Sequence, residues 1–146
     1  MARRVFFSFK YEDVSRAMVV RNSWVTQGKE AAGFIDAAEF EELEQEGDDA
    51  IEAWIDDQLA GTTVTAILVG EETCSSKWVQ YEIDRSAEFG HGLLGIDVSK
   101  IKDLGGETTV RCGKIPAGYD FYLWNKDDGY NNMGDWIEAA ATAAGK

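Results

Sequence analysis

Between Cys74 and Phe89 the chain carries its most chemically suggestive spacing. The segment reads Cys74-Ser75-Ser76-Lys77-Trp78-Val79-Gln80-Tyr81-Glu82. Thr73, Ser75 and Ser76 are good helix N-caps, and Gly90 is a good stop, so a helix is predicted from about Lys77 to Phe89. Trp78 and Glu82 are four residues apart and share a face one turn from each other. Arg85 and Phe89 continue that face, while Val79, Ile83 and Ala87 form a separate apolar stripe that can pack on a sheet. A carboxylate beside a flat ring can stabilise a developing positive charge. Two plainer readings stay open: Glu82 as an exposed glutamate paired with Arg85, and Trp78 as a packing anchor.

Other familiar chemistry is poorly served. The single histidine, His91, lies in Gly90-His91-Gly92 and reads as a surface turn. Cys74 and Cys112 are too few for a disulfide framework and match no zinc spacing, so no metal is expected. The net charge of −13 argues against nucleic acid and anionic membrane surfaces as partners. Eight carboxylates and no base lie between Glu39 and Glu52. They read as a solvated loop and helix start, with a docking surface for a basic partner as the sharper alternative.

The elements that must position Trp78 and Glu82 alternate. Strands are expected at Val5–Phe9, Gly33–Asp36, Thr63–Val69, Leu93–Val98 and Phe121–Trp124. Helices are expected after Asp13, after Asp48 or Asp49, from Lys77, and over Met133–Ala144. Residues 100–119 read as loops with short elements. The 146 residues, 45% hydrophobic, suit one soluble domain over 1–146. No apolar run reaches the ~18 residues of a membrane span, and no signal peptide is evident, so a cytoplasmic protein is expected. The order implies an α/β fold: a doubly wound, mostly parallel five-stranded sheet with helices on both faces. Ligands bind such sheets at the carboxyl ends of the strands. That rim would hold Phe9–Tyr11, Asp36–Glu39, Gly70–Cys74 and Asp97–Ser99. No glycine-rich phosphate loop follows the first strand, which disfavours a P-loop, dinucleotide fold or flavodoxin. A two-component receiver would need an aspartate ending the third strand, where this chain has Val69-Gly70-Glu71.

Three stretches in this order resemble the Toll/interleukin-1 receptor (TIR) superfamily, most of all the TIR-like proteins of bacterial Thoeris anti-phage systems. They are Val5-Phe6-Phe7-Ser8-Phe9, Gly33-Phe34-Ile35-Asp36 and Ser76-Lys77-Trp78-Val79-Gln80-Tyr81-Glu82, with Arg21-Asn22-Ser23-Trp24 in support. The likeness covers roughly the first hundred residues. It implies a flavodoxin-like fold and cleavage of the nicotinamide–ribose bond of NAD, with Glu82 as the required carboxylate. NAD would be substrate, with no cofactor needed. In the Thoeris branch the ADP-ribose product is a signal for a separate effector protein, and a homo-oligomer is compatible with the resemblance. Phe9, Tyr11 and Trp78 would then form an apolar wall for a base. Lys10 and Arg85 are candidate phosphate partners, and Ser8 and Asp36 candidate pocket residues. The rival reading is a non-enzymatic interaction module.

Overall fold

A computed structural model of the chain describes residues 3–34, 37–113 and 115–146. Five strands form one sheet: β1 (Val5–Ser8), β2 (Ala31–Ala32), β3 (Val64–Val69), β4 (Gly92–Asp97) and β5 (Asp120–Leu123). Their order is β2-β1-β3-β4-β5, and every pairing is parallel. The helices are α1 (Val14–Val25), α2 (Ala37–Glu46), α3 (Asp48–Ala60), α4 (Lys77–Glu88) and α5 (Gly129–Ala143). This is the flavodoxin-like arrangement expected from the alternation of strand and helix.

Side-chain alternation along the strands divides the core. Phe7 joins Val5, Ala66, Leu68, Leu94 and Ile96 on the face packed by α1 and α5. Phe6, one residue earlier, points the opposite way and packs with Ile51, Ile55 and Leu59 of α3. Farther along that second face, Val79 of α4 covers Ile67, Val69 and Leu93. The central strands are buried on both sides, which is why they read as unbroken apolar runs.

Three expectations change. The second strand lies at Ala31–Ala32, ahead of Gly33–Asp36. Gly33 takes φ +92°, outside the extended range, and a β-carbon there would lie 2.4 Å from the Phe7 carbonyl oxygen. The chain therefore turns at Gly33, where that strand was expected to begin; Ile35 and Asp36 lie outside the described residues. Gly33→Ala is expected to destabilise the fold by about 2 kcal/mol, read as a lower urea midpoint at unchanged slope.

The acidic stretch is also not a loop. Residues from Ala37 to Glu46 are helical, Gly47 (φ +108°) breaks the chain, and Asp48 and Asp49 form the first turn of α3 rather than its cap. No glycine or proline interrupts 37–46, and its Ala, Glu, Leu and Gln residues are strong helix formers. Charge density alone made it resemble a loop.

His91, finally, is buried at 9% exposure. It stacks on Phe89 (5.6 Å between centroids), and burial holds its pKa below the ordinary value, with Lys146 adding to the effect. The cause lies in α5. Gly92 passes so close beneath this helix that a β-carbon would meet the Ala140 carbonyl at 2.5 Å, and His91 beside it is buried while Gly90 stays exposed. Cys74 and Cys112 form a disulfide (Cα–Cα 5.5 Å) joining the turn before α4 to the segment after β4.

Candidate active site

Glu82 lies in the buried stripe of α4, together with Val79 and Ser86. It is not on the separate, presented side that the Val79-Ile83-Ala87 pattern suggested. Ser76 caps this helix, its Oγ accepting the Val79 N–H at 3.3 Å. Glu82 is 6% exposed, and its Oε1 accepts a 3.1 Å hydrogen bond from Ser8 Oγ at the end of β1. Ser86 Oγ donates to the Glu82 carbonyl at 2.7 Å and lies 2.7 Å from Thr65 Oγ1. Ser86 uses its one hydroxyl hydrogen on that carbonyl, so Thr65 is the donor to Ser86. A row of polar groups therefore runs under α4, across β1 and β3. Burial pushes the Glu82 carboxyl up to about 8, against the smaller downward pull of the Ser8 hydrogen bond.

Glu82 reaches a cavity of about 220 Å³ at the carboxyl end of β1. Phe9, Lys10, Tyr11 and Glu12 supply one side, and Gly33 and Phe40 another. Ile51, Trp54 and Ile55 of α3 face Ser76, the cap of α4, and Trp78 and Glu82 within it. The lining is mainly apolar, with one carboxyl buried at its edge. Among the charged groups that line it, Lys10 is the cation, and its Nζ lies 3.7 Å from Glu72.

The structure thus brings together Phe9, Lys10, Tyr11, Trp78 and Glu82, with Ser8 behind Glu82. Asp36 falls outside the described residues. Arg85 is the correction: it does not line the cavity. Its Nε and Nη2 hold Asp56 at 2.9 and 3.1 Å, and Nη1 pairs with Glu88. Arg85 does follow Glu82 along the helix, but it lies a turn farther from the rim, where Asp56 of α3 captures it. With Arg85 so engaged, the plain reading of Glu82 as its exposed partner also falls.

Sequence reasoning missed Phe40, Trp54 and Ser76 as cavity residues. Ser76 reads from the sequence as a cap, and Trp54 is flanked in α3 by the apolar Ile51 and Ile55. Phe40 was hidden by the acids around it, although one ring among carboxylates on a helix marks the side that faces the protein. Among the described residues, no group of three or more His, Cys, Asp or Glu could hold a metal ion. No helix among them is long and apolar enough to cross a membrane.

A five-stranded parallel sheet in this order, with a Trp-x-x-x-Glu helix whose glutamate is buried beside the end of β1, defines a TIR-like domain. Residues 6–103 match the family described as Thoeris protein ThsB, TIR-like domain, and the chain belongs to that family. It is 39% identical over 139 residues to ThsB1 of Bacillus cereus (strain MSX-D12), which is named provisionally as a cyclic ADP-D-ribose synthase. The match spans 93% of this chain and 72% of the relative.

Proposed function

We propose that this protein cleaves the nicotinamide–ribose bond of NAD and releases an ADP-ribose-derived, cyclic signalling nucleotide in anti-phage defence. The observation that carries the reading is Glu82, a carboxyl held by Ser8 at the edge of an aromatic cavity. The family and the relative's name agree with it. NAD serves as substrate, and the chemistry asks for no cofactor. A separate effector would receive the product, and a homo-oligomer is compatible with the site.

The reaction follows from charge. As the ribose–nitrogen bond breaks, its electron pair moves onto the pyridinium ring, and nicotinamide leaves neutral. Positive charge then spreads over the ribose carbon and ring oxygen. An ionised Glu82 beside that sugar stabilises the cation, as carboxylates do in glycoside hydrolysis. The leaving base needs no strong general acid, which agrees with a cavity lined by no histidine. The apolar walls limit water and strengthen the carboxylate's field. Trp78, Phe9 and Tyr11 offer ring surface to a base, and Lys10 can meet a phosphate by leaving Glu72.

Product analysis tests the reading. Phage-challenged cells expressing the wild-type chain should consume NAD and accumulate nicotinamide and a cyclic ADP-ribose. Cells expressing Glu82→Ala should not. Equal NAD loss with both chains would remove Glu82 from the chemistry.

The acids of α2 are assigned no part in catalysis. Glu41, Glu42 and Glu44 are exposed, whereas Phe40 of the same helix lines the cavity. Reversing all three charges to Lys should leave nicotinamide release within about threefold of wild type, since none of the three lines the cavity and water's high dielectric weakens the field of exposed charges. Loss of activity with intact folding would instead assign these acids to the site or to an obligatory assembly.

A further inference from the structure

The cavity holds more ring surface than cleavage of one bond requires. Phe9, Tyr11, Phe40, Trp54 and Trp78 all line it. Trp78 stands one turn before Glu82 on the same helix. Trp54 comes from α3, the helix on the other flank. It packs at the edge of the core cluster that Ile51, Ile55 and Leu59 anchor at 2%, 2% and 0% exposure. Trp54 itself is only part-buried, and part of its surface lines the cavity. One tryptophan on each flanking helix provides two flat surfaces, and NAD carries a flat base at each end.

We propose that Trp54 is a specificity-determining residue. It holds the adenosine end of NAD beside the ribosyl carbon at Glu82, so that the cation is captured within the same molecule rather than by water. This inference rests on the NAD-cleaving reading above. The balance is simple. The bond from the ribosyl carbon to nicotinamide breaks with its electron pair going to nicotinamide. A new bond forms to that carbon from an adenine ring nitrogen or from a hydroxyl of the adenosine ribose. In the hydroxyl case the released proton passes to Glu82 or to solvent. If water attacks instead, the product is linear ADP-ribose and one proton. Both outcomes share the same bond cleavage, so Trp54 acts on the partition of products and not on the first step.

The test measures nicotinamide, cyclic product and linear ADP-ribose by mass spectrometry in phage-challenged cells expressing wild type, Trp54→Leu, Trp54→Phe or Glu82→Ala. Trp54→Leu keeps apolar bulk but removes the flat face, and Trp54→Phe restores a ring. Trp54→Leu should lower the cyclic-to-linear ratio at least ~10-fold, the scale of one base stacked on one ring, and Trp54→Phe should recover most of it. A purely packing role would lower both products together and leave their ratio unchanged. An unchanged ratio in Trp54→Leu, or an equal change in Leu and Phe, overturns the role of Trp54 while NAD cleavage stands. Absence of nicotinamide release from wild type, or equal release from Glu82→Ala, defeats the cleavage reading itself.

Discussion

Glu82→Gln is expected to raise the melting temperature while lowering NAD cleavage by at least ~100-fold. Both effects come from one buried carboxyl. Its folded pKa of about 8 stands above the ordinary value of 4.5. Below the lower value the group is protonated in both folded and unfolded chains. As pH rises from there toward 8, the unfolded chain loses the proton and the folded chain keeps it. Stability therefore falls across that window. At neutral pH the penalty reaches an upper bound of about 3 kcal/mol. Glutamine keeps the shape and can still accept from Ser8, but it carries no such penalty. A gain of roughly 3–8 °C is expected at pH 7–8, shrinking to nothing near pH 4.5. A Glu82→Gln protein that melts at the wild-type temperature at both pH values would show that the carboxyl is not desolvated in solution.

The same proton governs activity. The reaction needs the anion, yet most free protein at neutral pH holds the acid form. For the wild type, kcat/KM for nicotinamide release should rise with pH through about 8. The pyridinium cation of bound NAD favours the charged carboxylate, so the rise in kcat should fall at lower pH than the rise in kcat/KM. Coincident profiles would mean that substrate charge does not reach Glu82.

Arg16→Ala should cause the largest loss of stability of any single polar change. Arg16 is 7% exposed and donates to the Ile101 and Glu107 carbonyls at 2.7 and 2.9 Å. It also pairs with Asp13 and Asp103, each at 3.7 Å. One side chain therefore ties the start of α1 to the segment after β4. Asp13 is buried against Gly70, where a β-carbon would meet its carboxylate at 2.3 Å. Burial already holds the Asp13 pKa above the ordinary value, with Arg16 as the main opposing influence. Removing Arg16 strands that carboxylate and leaves the buried Ile101 carbonyl without its donor, while the Glu107 carbonyl keeps the Asp103 N–H, at a cost of about 3–5 kcal/mol. Lys77→Ala is the control: its ion pair with Asp48 is two-thirds exposed on both sides and should leave the urea midpoint unchanged. Equal midpoints for wild type and Arg16→Ala would show that the network adds nothing.

By itself, the sequence determined what depends on neighbours along the chain. The alternation of apolar runs and helical stripes specified a parallel α/β sheet, because period and turn residues are local properties. Trp-x-x-x-Glu placed Trp78 and Glu82 one turn apart, and Val5–Phe9 ended at the rim that holds the cavity. Only the tertiary structure decided what those residues experience. Ser8, 74 positions away, reaches Glu82, and α4 buries it against β1. Asp56, 29 positions from Arg85, removes that guanidinium from the site. Phe40 and Trp54 enter because α2 and α3 fold back over the end of β1, and α5 buries a histidine that looked exposed. Protonation and ring placement are set by desolvation and by partners remote in the chain, which local periodicity does not encode.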